Sequence, residues 1–449
     1  MTDVRTEAKA GEPALRRVMG PKLLLFFVAG DIIGTGVYAL TGQVAGRVGG
    51  ALWLPFLLAF VVAFMTAFSY LELVGKYPKA AGAALYTHRA FGIPFLTFMV
   101  AFAVMCSGIT SASSAAVAFG ATYLAAFVKL PTVLVAIVFV AGLAVINFRG
   151  VGESVKANVV LTCIEISGLL IIIGVGVWAV LNGNGDASRL VQIDTADRTW
   201  LVAITSATSL AFFAMVGFED SVNMAEECHD PVRIFPKAML WGMVVAATIY
   251  VLVSITSSLL VPAGDLAAAK SDALLKVLDV GAPGFPREVF SAIGLFAVIN
   301  SALINMLMAS RLLYGMANEG IIPRRFGKVH PRRRTPWVAI VFTSLIAIGL
   351  VSTVDISVLG GTTALLLLAV FAIVNVAVLV LRRDHVPHHH FRAPTVIPAL
   401  AAVFCVYLAS PLSGRPARDY VVAGILLAVG LLLWAVNWAL MRRNRATVA

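Results

Sequence analysis

Apolar runs of 16 to 33 residues recur from Leu23 to Met441, separated by short polar stretches. A helix needs about 20 mostly apolar residues to cross the hydrocarbon core of a bilayer. The pattern predicts an all-α integral membrane protein of about twelve spans. The first half holds Leu23–Val44, Leu52–Val74, Phe95–Phe127, Val133–Phe148, Ala157–Leu181 and Leu201–Ala225. The second holds Ala238–Val261, Phe290–Ala317, Trp337–Val354, Ile356–Leu381, Ile397–Leu412 and Tyr420–Met441. Phe95–Phe127 exceeds one upright span, so strong tilt or an interfacial end is expected there. The longest polar stretches, Asn182–Arg198, Pro262–Arg287 and Asn318–Thr335, are too short to bury a core of their own.

Two runs are interrupted near their middles. The first carries Gly30 to Gly42, GDIIGTGVYALTG, with Gly34-Thr35-Gly36 at its centre. The sixth carries Ala214-Met215-Val216-Gly217, followed by Phe218-Glu219-Asp220. Lipid tolerates broken helical backbone only where protein buries it or a watery cavity faces it. The sixth span is five on from the first, an odd number, so the two run in opposite directions. Matching breaks in two inverted five-span halves mark an inverted repeat with a transport site between them. A break at Gly34 and Gly36 bares backbone N–H groups at a half-helix N-terminus, which suits a carboxylate. Bared carbonyls in the sixth span suit an ammonium, and one site with both ends suits an α-amino acid. The competing reading is that the glycines only allow close helix packing.

The net charge of +11 raises the question of nucleic acid, but its distribution points elsewhere. With the N-terminus inside, 25 of the 34 lysines and arginines fall on the cytoplasmic side. That is the positive-inside pattern, with both termini cytoplasmic. The basic loop Arg324 to Arg334 is then a topology signal. The polar leader from Met1 to Arg17 runs into a full-length span without a small-residue cleavage site, so no cleavable signal peptide is expected. Cys106, Cys163, Cys228 and Cys405 are scattered, without disulfide or zinc spacing. His385 and His388 to His390 cluster beside Arg382 and Arg383, and a solvated juxtamembrane loop explains them better than a metal site.

Four stretches resemble the amino acid permeases of the APC (amino acid–polyamine–organocation) superfamily. They are Gly34-Thr35-Gly36-Val37-Tyr38; Ser69-Tyr70-Leu71-Glu72-Leu73 through Pro78, Gly82, Tyr86 and Ala90-Phe91-Gly92; Phe212 to Glu219 through Ala225-Glu226-Glu227, Asp230-Pro231 and Ile234-Phe235-Pro236; and Ala309-Ser310-Arg311 through Tyr314-Gly315-Met316-Ala317 and Gly320. The resemblance runs from about residue 20 to 440. It implies a LeuT-type 5+5 inverted repeat with discontinuous first and sixth helices, alternating access, and amino acid substrates. It implies that Ile33, Gly34, Thr35 and Gly36 hold a substrate carboxylate, and that carbonyls around Phe213, Ala214, Met215 and Gly217 hold the amine. Phe213 would be an aromatic gate. The implied organisation is a tail at 1–20, a ten-helix core at 21–382, a juxtamembrane loop with two further helices at 383–441, and a tail at 442–449.

Ionisable residues inside spans are functional hypotheses by default. Glu165 lies about 12 Å into the fifth span at about 1.5 Å per residue. Many of these permeases carry a lysine near this point in place of a sodium ion; here Glu165 or Cys163 aligns with it. A carboxylate stripped of water takes up a proton more readily. Glu165 is therefore the expected proton-coupling residue, with Asp31 at similar depth, Asn305 as a third partner and Glu219 a further candidate. The bland reading of Glu165 is a neutral glutamic acid bonded to a neighbouring helix. Glu72, Glu226 and Glu227 sit near cytoplasmic span ends, where salt bridges to basic loops are expected.

The reading is a proton-coupled amino acid symporter of a bacterial-type plasma membrane, with the amino acid, the proton and the bilayer as its partners. No cofactor, metal, nucleic acid or obligatory protein partner is expected. Exchange, or transport of a polyamine or other organic cation that Asp31 and Glu219 would meet, stands as the alternative. A divalent-metal carrier is disfavoured because no Asp-Pro-Gly-Asn run follows Asp31 and no Met-Pro-His run follows Met215. A membrane enzyme or sensor lacks its polar constellation or output domain. The residues of span three (Ser107, Ser111, Ser113, Ser114) fit several substrates, so the cargo within the class stays open.

Overall fold

A computed structural model describes residues 19–79, 82–149, 154–194, 198–318, 322–333 and 335–446. The polar leader, Gly320, Arg334 and the last three residues lie outside the described residues, as do the side chains of Glu226 and Glu227. The described residues are helical and hold no strand, only the isolated bridges Met19–Cys228 and Gly49–Ile193.

In chain order the helices are α1 (Pro21–Ile32), α2 (Thr35–Val48), α3 (Trp53–Lys76), α4 (Gly82–Phe91), α5 (Pro94–Ala118), α6 (Thr132–Arg149), α7 (Ser154–Leu181) and α8 (Trp200–Ala211). There follow α9 (Pro231–Leu260), α10 (Ala263–Ala269), α11 (Ala273–Gly281), α12 (Arg287–Asn318), α13 (Trp337–Thr353), α14 (Ile356–Leu381), α15 (Val396–Ala409) and α16 (Ala417–Ala446). Among the described residues, ten helical stretches are long and apolar enough to cross a membrane. The stretch Pro21–Val48 contains both α1 and α2, and α13 and α15 are shorter apolar helices. Proline starts α1, α5 and α9, where a missing N–H costs nothing. The Thr199 hydroxyl accepts from Val202 N at the start of α8, and the Asp230 carboxylate accepts from Arg233 N at the start of α9.

The third apolar run is one α-helix to Ala118, then a π-turn at Phe119–Tyr123 and a tight turn to Ala126. Phe119 stacks on Phe139 of α6 at 4.3 Å between ring centroids. The polar stretch after α9 folds into α10 and α11, which bury Leu266, Leu274, Leu275, Val277 and Leu278. A Cβ on Gly42 would fall 2.2 Å from Lys270 O, so this cap sits directly on α2.

Helices α1, α2, α5, α8 and α14 form the buried centre. Around it, Val138, Val160, Leu345, Leu432 and Trp178 expose apolar side chains, a surface suited to lipid tails. α3 packs on α9, α5 packs on both α12 and α14, and α1 lies between α7 and α9. Polar bonds pin this centre at both ends. On the face holding the end of α3, the Glu72 carboxylate accepts from Arg382 Nε and Nη2 at 3.0 and 2.9 Å and from Ala393 N at 2.9 Å. The salt bridge expected for Glu72 is therefore present. Tyr77 hydrogen-bonds Asp384, and burial with that carboxylate pushes its phenol pKa up. His388 bonds Gly75 O at 2.9 Å, so one histidine of the cluster is a docking contact for the loop.

On the opposite face Arg415, between α15 and α16, is fully buried. It donates to Gly361 O of α14 at 2.6 Å, Ser209 O of α8 at 3.1 Å and Asp419 Oδ2 at 3.2 Å. Removing one partner of a buried ion pair leaves a charge without compensation, at a cost of about 3–5 kcal/mol. Arg415→Ala is expected to lower the apparent melting temperature in detergent by several degrees, and exposed Arg418→Ala to leave it within about a degree. Thermal shift of the purified variants checks this.

Candidate functional site

The first break is short. α1 ends at Ile32, Ile33 and Gly34 turn, and α2 starts at Thr35 with no side chain capping it. Gly34 has ψ −139°, which takes the chain out of the helical path for one residue. The first-turn N–H groups of α2 therefore lack helical partners. At the far side of the break Tyr250 donates to Ile32 O at 2.5 Å and settles the last carbonyl of α1.

The second break is longer. α8 tightens into a 3-10 turn at Phe212–Met215, Val216 is extended, and Gly217 has φ +125°. From Asp220 to Glu227 the chain is again a tight helix. The Glu219 carboxylate accepts from Gly217 N at 2.9 Å, which closes the turn locally.

The breaks interlock. A Cβ on Gly36 would fall 2.4 Å from Ala214 Cα, and one on Gly217 would fall 2.8 Å from the Asp31 carbonyl carbon. A Cβ on Gly34 would fall 2.8 Å from Ser301 Oγ of α12. Backbone thus lies on backbone at two points, and glycine is the residue that allows it.

A small cavity of about 20 Å³ lies at this crossing, room for about one water molecule. Asp31, Ile32, Gly34, Thr35, Gly36, Ser111, Phe213, Val216, Gly217, Asp220, Ser301 and Asn305 line it. Of the expected substrate residues, Gly34, Thr35, Gly36, Phe213 and Gly217 line the cavity. Ile33, Ala214 and Met215 are buried beside it without lining it. Of the expected proton residues, Asp31 and Asn305 line it, whereas Glu165 and Glu219 do not. Thr35 Oγ1 and Asp31 Oδ2 are buried without a hydrogen-bond partner. Asn305 donates to Ser301 O at 2.9 Å, so its amide is part of the α12 wall.

Glu165 lies outside the cavity, fully buried. Its Oε1 accepts from Asn300 Nδ2 at 3.1 Å, and its Oε2 has no partner. Asp31 is within electrostatic reach of Glu165, Glu219 and Asp220. Asn300, next to the cavity-lining Ser301, is the α12 residue that the Glu165 carboxylate meets. Asn300, Ser301 and Asp220 were not singled out as partners from the sequence. Asp220 was named only as a neighbour of Glu219, and Asn300 and Ser301 sit in an apolar run among other small polar residues.

An uncapped half-helix N-terminus thus lies against an irregular turn, inside a bundle of membrane-length helices. The amino acid permease family pattern matches residues 20–436, and the chain belongs to that family, within the APC superfamily. It is similar to the branched-chain amino acid permease BcaP of Bacillus subtilis, 26% identical over 89% of each chain. It is also similar to the methylthioribose transporter of Bacillus subtilis, 27% identical over 95% of this chain and 94% of that one. The low-affinity putrescine importer PlaP of Escherichia coli K12 is 27% identical over 62% of each chain.

Gly217→Ala forces a side chain into a left-handed backbone and onto Asp31, a strain of about 1–3 kcal/mol. Initial uptake by the variant in proteoliposomes is expected to fall about tenfold or more, since 1.4 kcal/mol is a factor of ten. Gly142→Ala, which meets open space on α6, is the control and should transport normally.

Proposed function

We propose that this protein is a secondary active amino acid transporter that works by alternating access across the plasma membrane, driven by protons. The observation that carries this reading is the interlocked pair of breaks around one buried cavity. The bared amides at Gly34, Thr35 and Gly36 suit a substrate carboxylate, aided by the partial positive charge of the α2 N-terminus. Asp31, Asp220 and the irregular backbone near Phe213 suit an ammonium. Phe213 closes one wall, as an aromatic gate would. The cavity is too small for any amino acid, so a bound substrate requires the two halves to part.

Packing of α3 on α9 and α5 on α12 supports a LeuT-type inverted repeat, because these are the second with the seventh span and the third with the eighth. The proposed core is residues 21–382, with α15 and α16 outside it and both termini cytoplasmic. Glu165 is the proposed proton site, with Asp31 as its electrostatic partner at the cavity. A proton drives transport only by binding two conformations differently. Asn305 and Glu219 take lesser parts, one shaping the wall and one closing the turn.

A second reading has its own support. Two carboxylates and no lysine or arginine line the cavity, a balance that favours an organic cation or polyamine. A relative is named a putrescine importer.

Uptake of a panel of radiolabelled amino acids and polyamines into proteoliposomes, with and without an inward proton gradient, separates these readings. Accumulation of one amino acid class that collapses with a protonophore is expected. A signal from polyamines alone would establish the second reading, and gradient-independent uptake that needs internal amino acid would establish an exchanger. In the first case Glu165→Gln is expected to retain exchange and lose the dependence of uptake on pH.

A further inference from the structure

Glu165 does not touch the cavity, so something must carry its state to the substrate. Asn300 and Ser301 are consecutive on α12 and face the two sites. Asn300 Nδ2 donates to Glu165 Oε1 at 3.1 Å, and Ser301 lies against Gly34 at the first break and lines the cavity. The Asn300 amide is itself oriented: Asn158 Nδ2, two turns before Glu165 on α7, donates to Asn300 Oδ1 at 3.4 Å. With its oxygen taken, Asn300 presents only its N–H to Glu165. An N–H donor supports the carboxylate form of its acceptor.

We propose that Asn300 is a positioning residue of the proton site, and that the Asn300–Ser301 pair links that site to the substrate break. This rests on Glu165 being the proton-coupling residue. Loss of a proton from Glu165 strengthens its bond to Asn300, because a hydrogen bond to a charged group is stronger than one to a neutral group. Gain of a proton weakens it and frees α12 to move relative to α7. Ser301, one residue on, then shifts against Gly34, where substrate amides are presented. The other groups facing Glu165 are Asp31 from α1, Tyr38 from α2 and Tyr250 from α9. Tyr38 donates to the Glu165 main-chain oxygen at 2.6 Å and Tyr250 to Ile32 O, so neither phenol is given to the Glu165 carboxylate. α11 meets α7 at Val175, about 15 Å further along the helix, so its Lys276 and Asp279 do not face this group.

The test is the pH profile of substrate uptake in proteoliposomes for Asn300→Ala, Glu165→Gln and the double variant. Asn300→Ala removes the donor to the carboxylate. Half-maximal uptake is expected to move about one pH unit toward alkaline, the size of one charge-assisted hydrogen bond. The shift must vanish in the Glu165→Gln background. An unmoved profile for Asn300→Ala overturns the proposal, and so does a shift that persists without Glu165. If Asn300→Ala does not fold, Asn158→Ala replaces it. That change releases the amide to turn its oxygen toward Glu165, with a smaller alkaline shift expected and no shift overturning the proposal. A Glu165→Gln variant whose pH dependence equals the parent's fails the underlying reading instead, and the two failures are told apart by that one profile.

Discussion

The constraint on which this molecule turns is that backbone N–H and C=O groups in a membrane must find partners within the protein. Two helices here break that ladder, and each break is tolerated because the other lies against it. Gly36 against Ala214 and Gly217 against Asp31 leave no space for lipid at the bared groups. Tyr250 then accounts for Ile32 O and Glu219 for Gly217 N. At the cavity, Thr35 Oγ1 and Asp31 Oδ2 are buried without a partner, beside the uncapped first turn of α2.

The surrounding fold holds those breaks in register. α1 and α2 form one membrane-length stretch, yet their two halves answer to different neighbours. α1 lies on α7 and α9, where Gly30 meets Thr162 and Gly242 meets Val28. α2 lies on α8 and the α10 cap, where Gly42 meets Lys270 O. Small residues mark each close approach, as expected where dispersion and packing, rather than water, drive association. The polar pins sit at the two faces, Glu72 with Arg382 on one and Arg415 with Asp419 on the other.

Much of this was legible in the residue pattern, and the reason is physical. Membrane spans are read from composition because lipid permits few alternatives, and the two breaks are read from glycine because Gly34, Gly36 and Gly217 each take a backbone path or contact that a Cβ would obstruct. Charge at depth is equally visible, which is why Asp31 and Glu165 stood out. The 3-10 turn at Phe212–Met215 and the π-turn at Phe119–Tyr123 were not visible, since nothing in their apolar residues distinguishes one helical winding from another. Ser301 and Asn300 were missed for a related reason. Small polar residues recur along the long apolar runs, and only the packing of α12 between α7 and the breaks distinguishes these two. Ala214 and Met215 lie beside the cavity without lining it, since proximity in sequence to a break does not decide which atoms face the cavity.

The placement of Glu165 outside the cavity changes what a proton could do there. A carboxylate lining the cavity would meet an ammonium directly and compete with the proton for it. One outside it meets the substrate only through a change of shape. Asp31, at the cavity and within electrostatic reach of Glu165, stands between the two cases. Under the proposed reading, a substrate ammonium beside Asp31 would offset negative charge there and so ease ionisation of Glu165. The two proposed ligands would then be linked twice, once by charge through Asp31 and once by packing through α12. Such linkage is reciprocal: whatever the proton does to substrate affinity, the substrate does to proton affinity by the same factor.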